Sequence, residues 1–173
     1  MTLISVLKSN LQREVFRKKG DKLIHILPLA KINREDAGNY LCVSVSSMND
    51  VHITLLTVKE EKMLLKCESN QMWLLKDLKL IDGIDHSQDN AEFSMHFDTE
   101  IFTLEAHSTA SKYAFLRCLC KMSRKYVQHE LQWIHFDHDF AGKSHSFLVP
   151  DEVMVSMRIC LEVFTCACLC GCF

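Results

Sequence analysis

Apolar residues recur at helical spacing from the start of the chain. Leu3, Val6, Leu7, Leu11, Val15 and Phe16 predict a short amphipathic helix over 3–16, which the Arg17-Lys18-Lys19-Gly20-Asp21 run ends. The period then shortens. Leu23–Leu27, Tyr40–Val45, Val51–Val58, Met63–Leu65, Leu78–Ile81, Phe93–Phe97 and Ile101–Glu105 read as seven short strands. Turn signals separate several of them, at 47–50 and at Asp82-Gly83. The helical period returns after Ser108 or Thr109, either of which can cap a helix. Ala114, Phe115, Cys118, Leu119, Met122 and Tyr126 form its apolar stripe, and Arg117, Lys121 and Lys125 form a basic stripe on another face. Residues 131–136 predict one more strand, and 137–152 a polar linker containing Pro150.

The predicted fold class is α+β. Seven antiparallel strands form a sandwich or barrel, a C-terminal amphipathic helix plugs its open end, and a short helix precedes it. This is the element order of a pleckstrin-homology (PH) type domain, and element order alone does not give a function. The expected segments are an N-terminal helix and basic run (1–20), the PH-like domain (21–136), a linker (137–152) and an apolar cysteine-rich tail (153–173).

Charge changes the picture more than composition does. The net charge of −2 argues against a general nucleic-acid binder. That average hides segregation: residues 1–31 carry a net +5, residues 112–125 carry +5, and residues 82–105 carry −7 with no base among them. A polarised domain orients itself on an anionic surface; the plainer reading is a set of solvated faces, with the acids protecting strand edges. No secretory signal is expected from the mixed polar start, so Cys42, Cys67, Cys118 and Cys120 read as reduced, buried thiols of a cytoplasmic protein.

Several stretches together resemble a known family. They are Leu11-Gln12-Arg13-Glu14-Val15-Phe16, Tyr40-Leu41-Cys42-Val43-Ser44-Val45, Trp73-Leu74-Leu75-Lys76-Asp77-Leu78, Ile81-Asp82-Gly83, 90–97 and Ser111-Lys112-Tyr113-Ala114-Phe115. In order and spacing they are similar to the N-terminal PH-type domain of the exocyst complex component 1 family, including its short members that carry little else. The resemblance covers about residues 5–138. It implies a non-enzymatic module that binds phosphatidylinositol 4,5-bisphosphate, sits peripherally at the plasma membrane and serves vesicle tethering in exocytosis. Lys31 and Arg34 stand where the family's lysine-rich first loop has bases, while Glu35 and Asp36 replace bases. If all four positions faced the lipid, two such reversals would cost about 4 kcal/mol. Arg17, Lys18, Lys19 and Lys22 lead into the first strand and can compensate. The expected lipid-binding set is therefore Arg17, Lys18, Lys19, Lys22, Lys31 and Arg34. A second reading takes Glu35 and Asp36 as the mark of a lost lipid site and a module that binds a Rho-family GTPase or an exocyst subunit. A third is a folded remnant with no strong ligand.

The remaining chemistry is sparse. Cys166, Cys168, Cys170 and Cys172 lie in an apolar tail, which suits S-acylation; an unmodified segment, or metal or disulfide use, are the alternatives. The apolar run 163–173 is too short to span a bilayer. On a strand, His135, Asp137 and Asp139 would share one face, but no further ligand has metal-site spacing, so no metal and no cofactor is expected. No phosphate loop, nucleophile elbow or zinc-helix motif marks an enzyme.

Overall fold

The computed structural model describes residues 3–30, 37–61, 64–85, 90–98 and 100–137. Helix α1 (Leu3–Leu11) runs into a π-helical turn (Gln12–Phe16) and a 3-10 turn (Arg17–Lys19). Strands β1 (Lys22–Pro28), β2 (Ala37–Val45), β3 (Val51–Glu61) and β4 (Leu64–Leu74) form one antiparallel sheet in that order. A 3-10 turn (Leu75–Asp77) leads to β5 (Leu78–Asp82), β6 (Glu92–Phe97) and β7 (Ile101–Glu105). Helix α2 (Thr109–Met122), a π-helical turn (Ser123–Val127) and β8 (Gln132–Ile134) follow. The second sheet has the order β7-β6-β5-β8.

Of the expected sandwich or barrel, the sandwich is what forms; the barrel does not close. Two open four-stranded sheets meet at one corner, where Leu29 bridges Ala106, Ala30 N–H donates to the Glu105 carbonyl at 2.8 Å, and His107 N–H to that of Pro28 at 2.9 Å. At the other corner the 3-10 turn interrupts the path from β4 to β5, and the free edge of β5 is taken in parallel by β8 (Leu80 opposite Gln132, Asp82 opposite Ile134). Eight strands are present among the described residues, β8 included. Gly83 is what lets this last segment pass: a Cβ there would sit 2.3 Å from the His135 carbonyl oxygen.

Between the sheets lies the main core. Leu27, Leu41, Val43 and Ile53 of the first sheet face Ile81, Phe93 and Met95 of the second. Helix α2 adds Tyr113, Phe115, Leu116, Leu119 and Met122 to this core, with Cys118 and Tyr126 half-buried beside them. A reciprocal capping box between Ser108 and Ser111 starts the helix, satisfying two otherwise orphan backbone donors. Lys112 counts as a surface base in a sequence reading, yet its side chain is buried. Its ammonium donates to the carbonyls of Glu92 (3.1 Å) and Gly83 (3.4 Å) and lies near the Phe136 ring.

A second core occupies the outer face of the first sheet. Leu23, Ile26, Cys42, Leu56 and Val58 point there, and Leu11 and Phe16 cover them, with Leu7, Val15, Tyr40 and Cys67 half-buried around the rim. Because both faces of this sheet are buried, β1 to β3 read as nearly continuous apolar runs rather than clean alternation. The helical segment also shields the edge of β1. Gln12 donates to the Asp21 carbonyl (2.9 Å) and accepts from Leu23 N–H (2.7 Å), and the Lys8 ammonium donates to the Ile24 carbonyl. Side chains four residues apart on one helix thus stand in for a neighbouring strand.

Candidate functional site

Arg17, Lys18 and Lys19 protrude from a tight helix end. Gly20 adopts a left-handed backbone (φ 78°), its N–H donates to the Arg17 carbonyl (3.1 Å), and Asp21 N–H reaches back to that of Phe16 (2.9 Å). This is a Schellman closure, and it fixes where the three bases point. Phe16, fully buried, anchors the turn; Arg17, Lys18, Lys19 and Lys22 are all exposed. Two acids accompany them. Glu14 pairs with Arg13 (2.7 Å) and Lys18 (3.3 Å), and these hydrogen bonds hold its carboxyl below the usual range. Asp21 turns inward instead, with its carboxylate 3.4 Å from the Ser44 hydroxyl and 3.7 Å from His52 Nδ1. The outward field of this turn is therefore strongly positive.

The expected lipid set is described only in part: Arg17, Lys18, Lys19 and Lys22 lie on or beside this turn. Lys22 lies opposite Val45, at the start of β1, whereas Pro28 lies opposite Tyr40 at its far end. Six residues of extended chain separate them by about 20 Å. Ala30 and Ala37, which flank 31–36, belong to that far end; Lys31 and Arg34 themselves lie outside the described residues. Near Ala37 the register also brings Lys59 and Lys66 directly opposite each other on β3 and β4. Only the pairing register reveals this couple, since the local sequence mixes both signs.

The other candidates are placed as follows. Arg117, Lys121 and Lys125 of the α2 stripe are exposed; Lys125 lies over the Tyr126 ring (4.9 Å). His135 is not on a strand: β8 stops at Ile134 and His135 takes φ 53°, because its Nδ1 turns to the Asp82 carboxylate at 2.8 Å. Burial pushes the Asp82 carboxyl up, but the Ile84 N–H and His135 outweigh it, and the net shift is down. His138 and Asp139 lie outside the described residues, and no group of three metal-ligating side chains occurs among the described ones. Cys42, Cys67, Cys118 and Cys120 are free thiols, Cys42 buried and the other three half-buried; burial pushes Cys42 up to about 12 and Cys118 to about 11. The tail cysteines Cys166, Cys168, Cys170 and Cys172 lie outside the described residues. Among the described residues no helix is long and apolar enough to cross a membrane.

Residues 35–125 match the family described as "Exocyst complex component SEC3 N-terminal PIP2 binding PH". The chain belongs to that family. It is 30% identical to the Mus musculus protein "Exocyst complex component 1-like", covering 97% of this chain and 96% of that one. It is 26% identical to Mus musculus "Exocyst complex component 1" over 88% of this chain, and spans only 18% of that longer protein. Among solved structures it is similar to "The hSac2 domain from human phosphoinositide phosphatase Sac2", at 13% identity and a TM-score of 0.46, covering 78% of this chain and 90% of that chain. The family span begins at residue 35, so all six expected lipid contacts precede it. Helix α1, its basic turn and β1 precede the matched span, and their side chains form half of the second core.

Proposed function

We propose that the domain is a peripheral membrane-docking module that binds phosphatidylinositol 4,5-bisphosphate and links membranes to exocyst-type tethering. The observation that carries this reading is the rigid turn of exposed bases, Arg17, Lys18 and Lys19 with Lys22 beside it, on a chain of a PIP2-binding PH family. Each base near an anionic surface contributes about 1 kcal/mol. Lys31 and Arg34 are proposed as further contacts beside the bases of the turn. S-acylation of Cys166, Cys168, Cys170 and Cys172 adds a second anchor, since one membrane signal alone is marginal.

Liposome co-sedimentation of residues 1–152, with and without phosphatidylinositol 4,5-bisphosphate, at low and at physiological salt, tests this. Salt-sensitive binding that requires the phosphoinositide is expected. Reversing Lys18, Lys19 and Lys22 to Glu removes about 3 kcal/mol of attraction or more, so affinity falls at least 100-fold. Binding untouched by that triple reversal refutes the assignment of the turn. The second reading, contact with an exocyst subunit or a Rho-family GTPase, draws on Glu35 and Asp36; it predicts a native pull-down of such a partner by a chain that ignores liposomes.

A further inference from the structure

The two sheets treat their outer faces differently. That of the first sheet is covered by the chain's own helix α1. That of the second sheet has no element packed on it among the described residues, and the pairing register shows what it carries. Side chains on this face alternate with those of the core, so β6 turns Glu92 (exposed), His96 (half-buried) and Ser94 (buried, its hydroxyl against the His96 ring) to this face while Phe93, Met95 and Phe97 face inward. Register places Leu80, His96 and Ile101 in one row, with Gln132 beside Leu80. Asp82, Ser94 and Thr103 form the next row, with Ile134 beside Asp82. Glu92 and Glu105 stand directly opposite each other in the last.

Two features of this face are costly as it stands. Ile101 is 63% exposed and Ile134 41% exposed, with Leu80 half-buried between the strands that carry them. Glu92 and Glu105 are like charges directly across a strand pair, which destabilises a sheet. Neither has a basic partner among the described residues, and the segment from 82 to 105 contains no Lys or Arg. Lys79, on the β5 bulge, is tied to Asp98 at 3.5 Å.

We propose that the outer face of the second sheet docks a basic amphipathic helix of a partner protein. Its apolar stripe would lie on Leu80, Ile101 and Ile134, and its Lys or Arg residues would reach Glu92, Glu105 and Asp82. Charge decides against the other occupants. An anionic bilayer repels this face, and a second copy would set the same carboxylates against each other. Geometry favours a helix: four strands span about 15 Å, the length of three helical turns, and the chain itself covers its other sheet in this way. This inference stands apart from the role of the basic turn in the lipid reading, because that turn adjoins the helix on the outer face of the first sheet and this face belongs to the second.

The test uses the full chain, labelled with 15N, and two synthetic 18-residue amphipathic helices, one built of Leu and Lys and the other of Leu and Glu. Saturable amide shifts confined to 80–82, 92–96, 101–105 and 132–134 are expected with the Lys peptide alone. The Glu92→Lys/Glu105→Lys variant should bind it at least tenfold more weakly, while sedimenting with phosphoinositide liposomes as the parent does. The single Glu105→Lys change, which turns a like pair into an opposite one, should raise the melting temperature by about 1–3 °C. The proposal is overturned if the Lys peptide fails to bind, shifts other amides, or binds the double variant equally well. It is also overturned if the Leu–Glu peptide binds as tightly, or if sedimentation shows the chain pairing with itself through this face.

Discussion

Phe16 carries the sharpest prediction about how the basic turn is held. Its side chain is 1% exposed and lies in the second core against β1 to β3. Truncation to Ala removes an aromatic ring from a site that the neighbouring strands cannot collapse to fill, so Phe16→Ala should cost about 3–5 kcal/mol. That is a large part of the roughly 5–15 kcal/mol by which a domain is stable. For a chain of this length it lowers the melting temperature by roughly 6–20 °C. Ile4 provides the control: it is on the same helical segment but 51% exposed, and Ile4→Ala should stay within about 0.5 kcal/mol. Urea unfolding of both variants, followed by circular dichroism, measures the difference. Where Phe16→Ala remains folded, liposome affinity should also fall, because the turn bearing Arg17–Lys19 is seated on that ring. A cost below about 1 kcal/mol, or equal costs for the two substitutions, would refute the claim that α1 and its turn are an integral layer.

Gly83→Ala places a methyl carbon against the His135 carbonyl, backbone that cannot swing aside, so β8 should leave β5; the expected loss is about 2–4 kcal/mol, read by urea unfolding, with Trp133 emission shifting to the red. Asp82 should contribute stability at neutral pH that acid removes. Its folded pKa is depressed, so the contribution is complete above the unfolded carboxyl value near 4 and disappears as pH falls through the lower folded one. The stability gap between the parent and Asp82→Asn should therefore close below about pH 4, and a gap constant from pH 7 to pH 3 would contradict the assignment.

Local pattern made the strands and the helix legible, because period 2 and period 3.6 are written into single segments. The stripe of Phe115, Leu119 and Met122 on α2 could be read this way, as could the cap at Ser108. What could not be read depends on distant pairing. Lys112 sits within a basic run, and only the fold brings the Glu92 and Gly83 carbonyls to its ammonium. β4 runs on from Leu64 to Leu74 through Glu68, Ser69, Asn70 and Gln71, polar residues that a pattern search discards but an open edge tolerates. The α-helical part of the helix predicted over 3–16 ends at Leu11, and the chain widens into a π-helical turn before tightening into a 3-10 turn, with Phe16 reaching the sheet and Gln12 serving the edge of β1. Arg17, Lys18 and Lys19 read in the sequence as a bare run of bases, and only the left-handed Gly20 and the Asp21 N–H reaching back to Phe16 show the turn that holds them.

Part of the charge segregation follows the two outer faces, while the exposed bases Arg117, Lys121 and Lys125 extend along and beyond α2. The bases of 17–22 adjoin the helix that covers the first sheet, and Glu92, Glu105 and Asp82 stand on the face of the second that no described element covers. A domain so polarised is turned by an anionic surface until its positive side faces the lipid. The face bearing Ile101 and Ile134, which no described element covers, would then point away from the bilayer. Lipid and partner would not compete for the same residues, so each would be bound with the other in place. If instead Lys-peptide binding to the second sheet displaced the chain from phosphoinositide liposomes, the two surfaces could not be separate in solution, and this account of the charge pattern would fail.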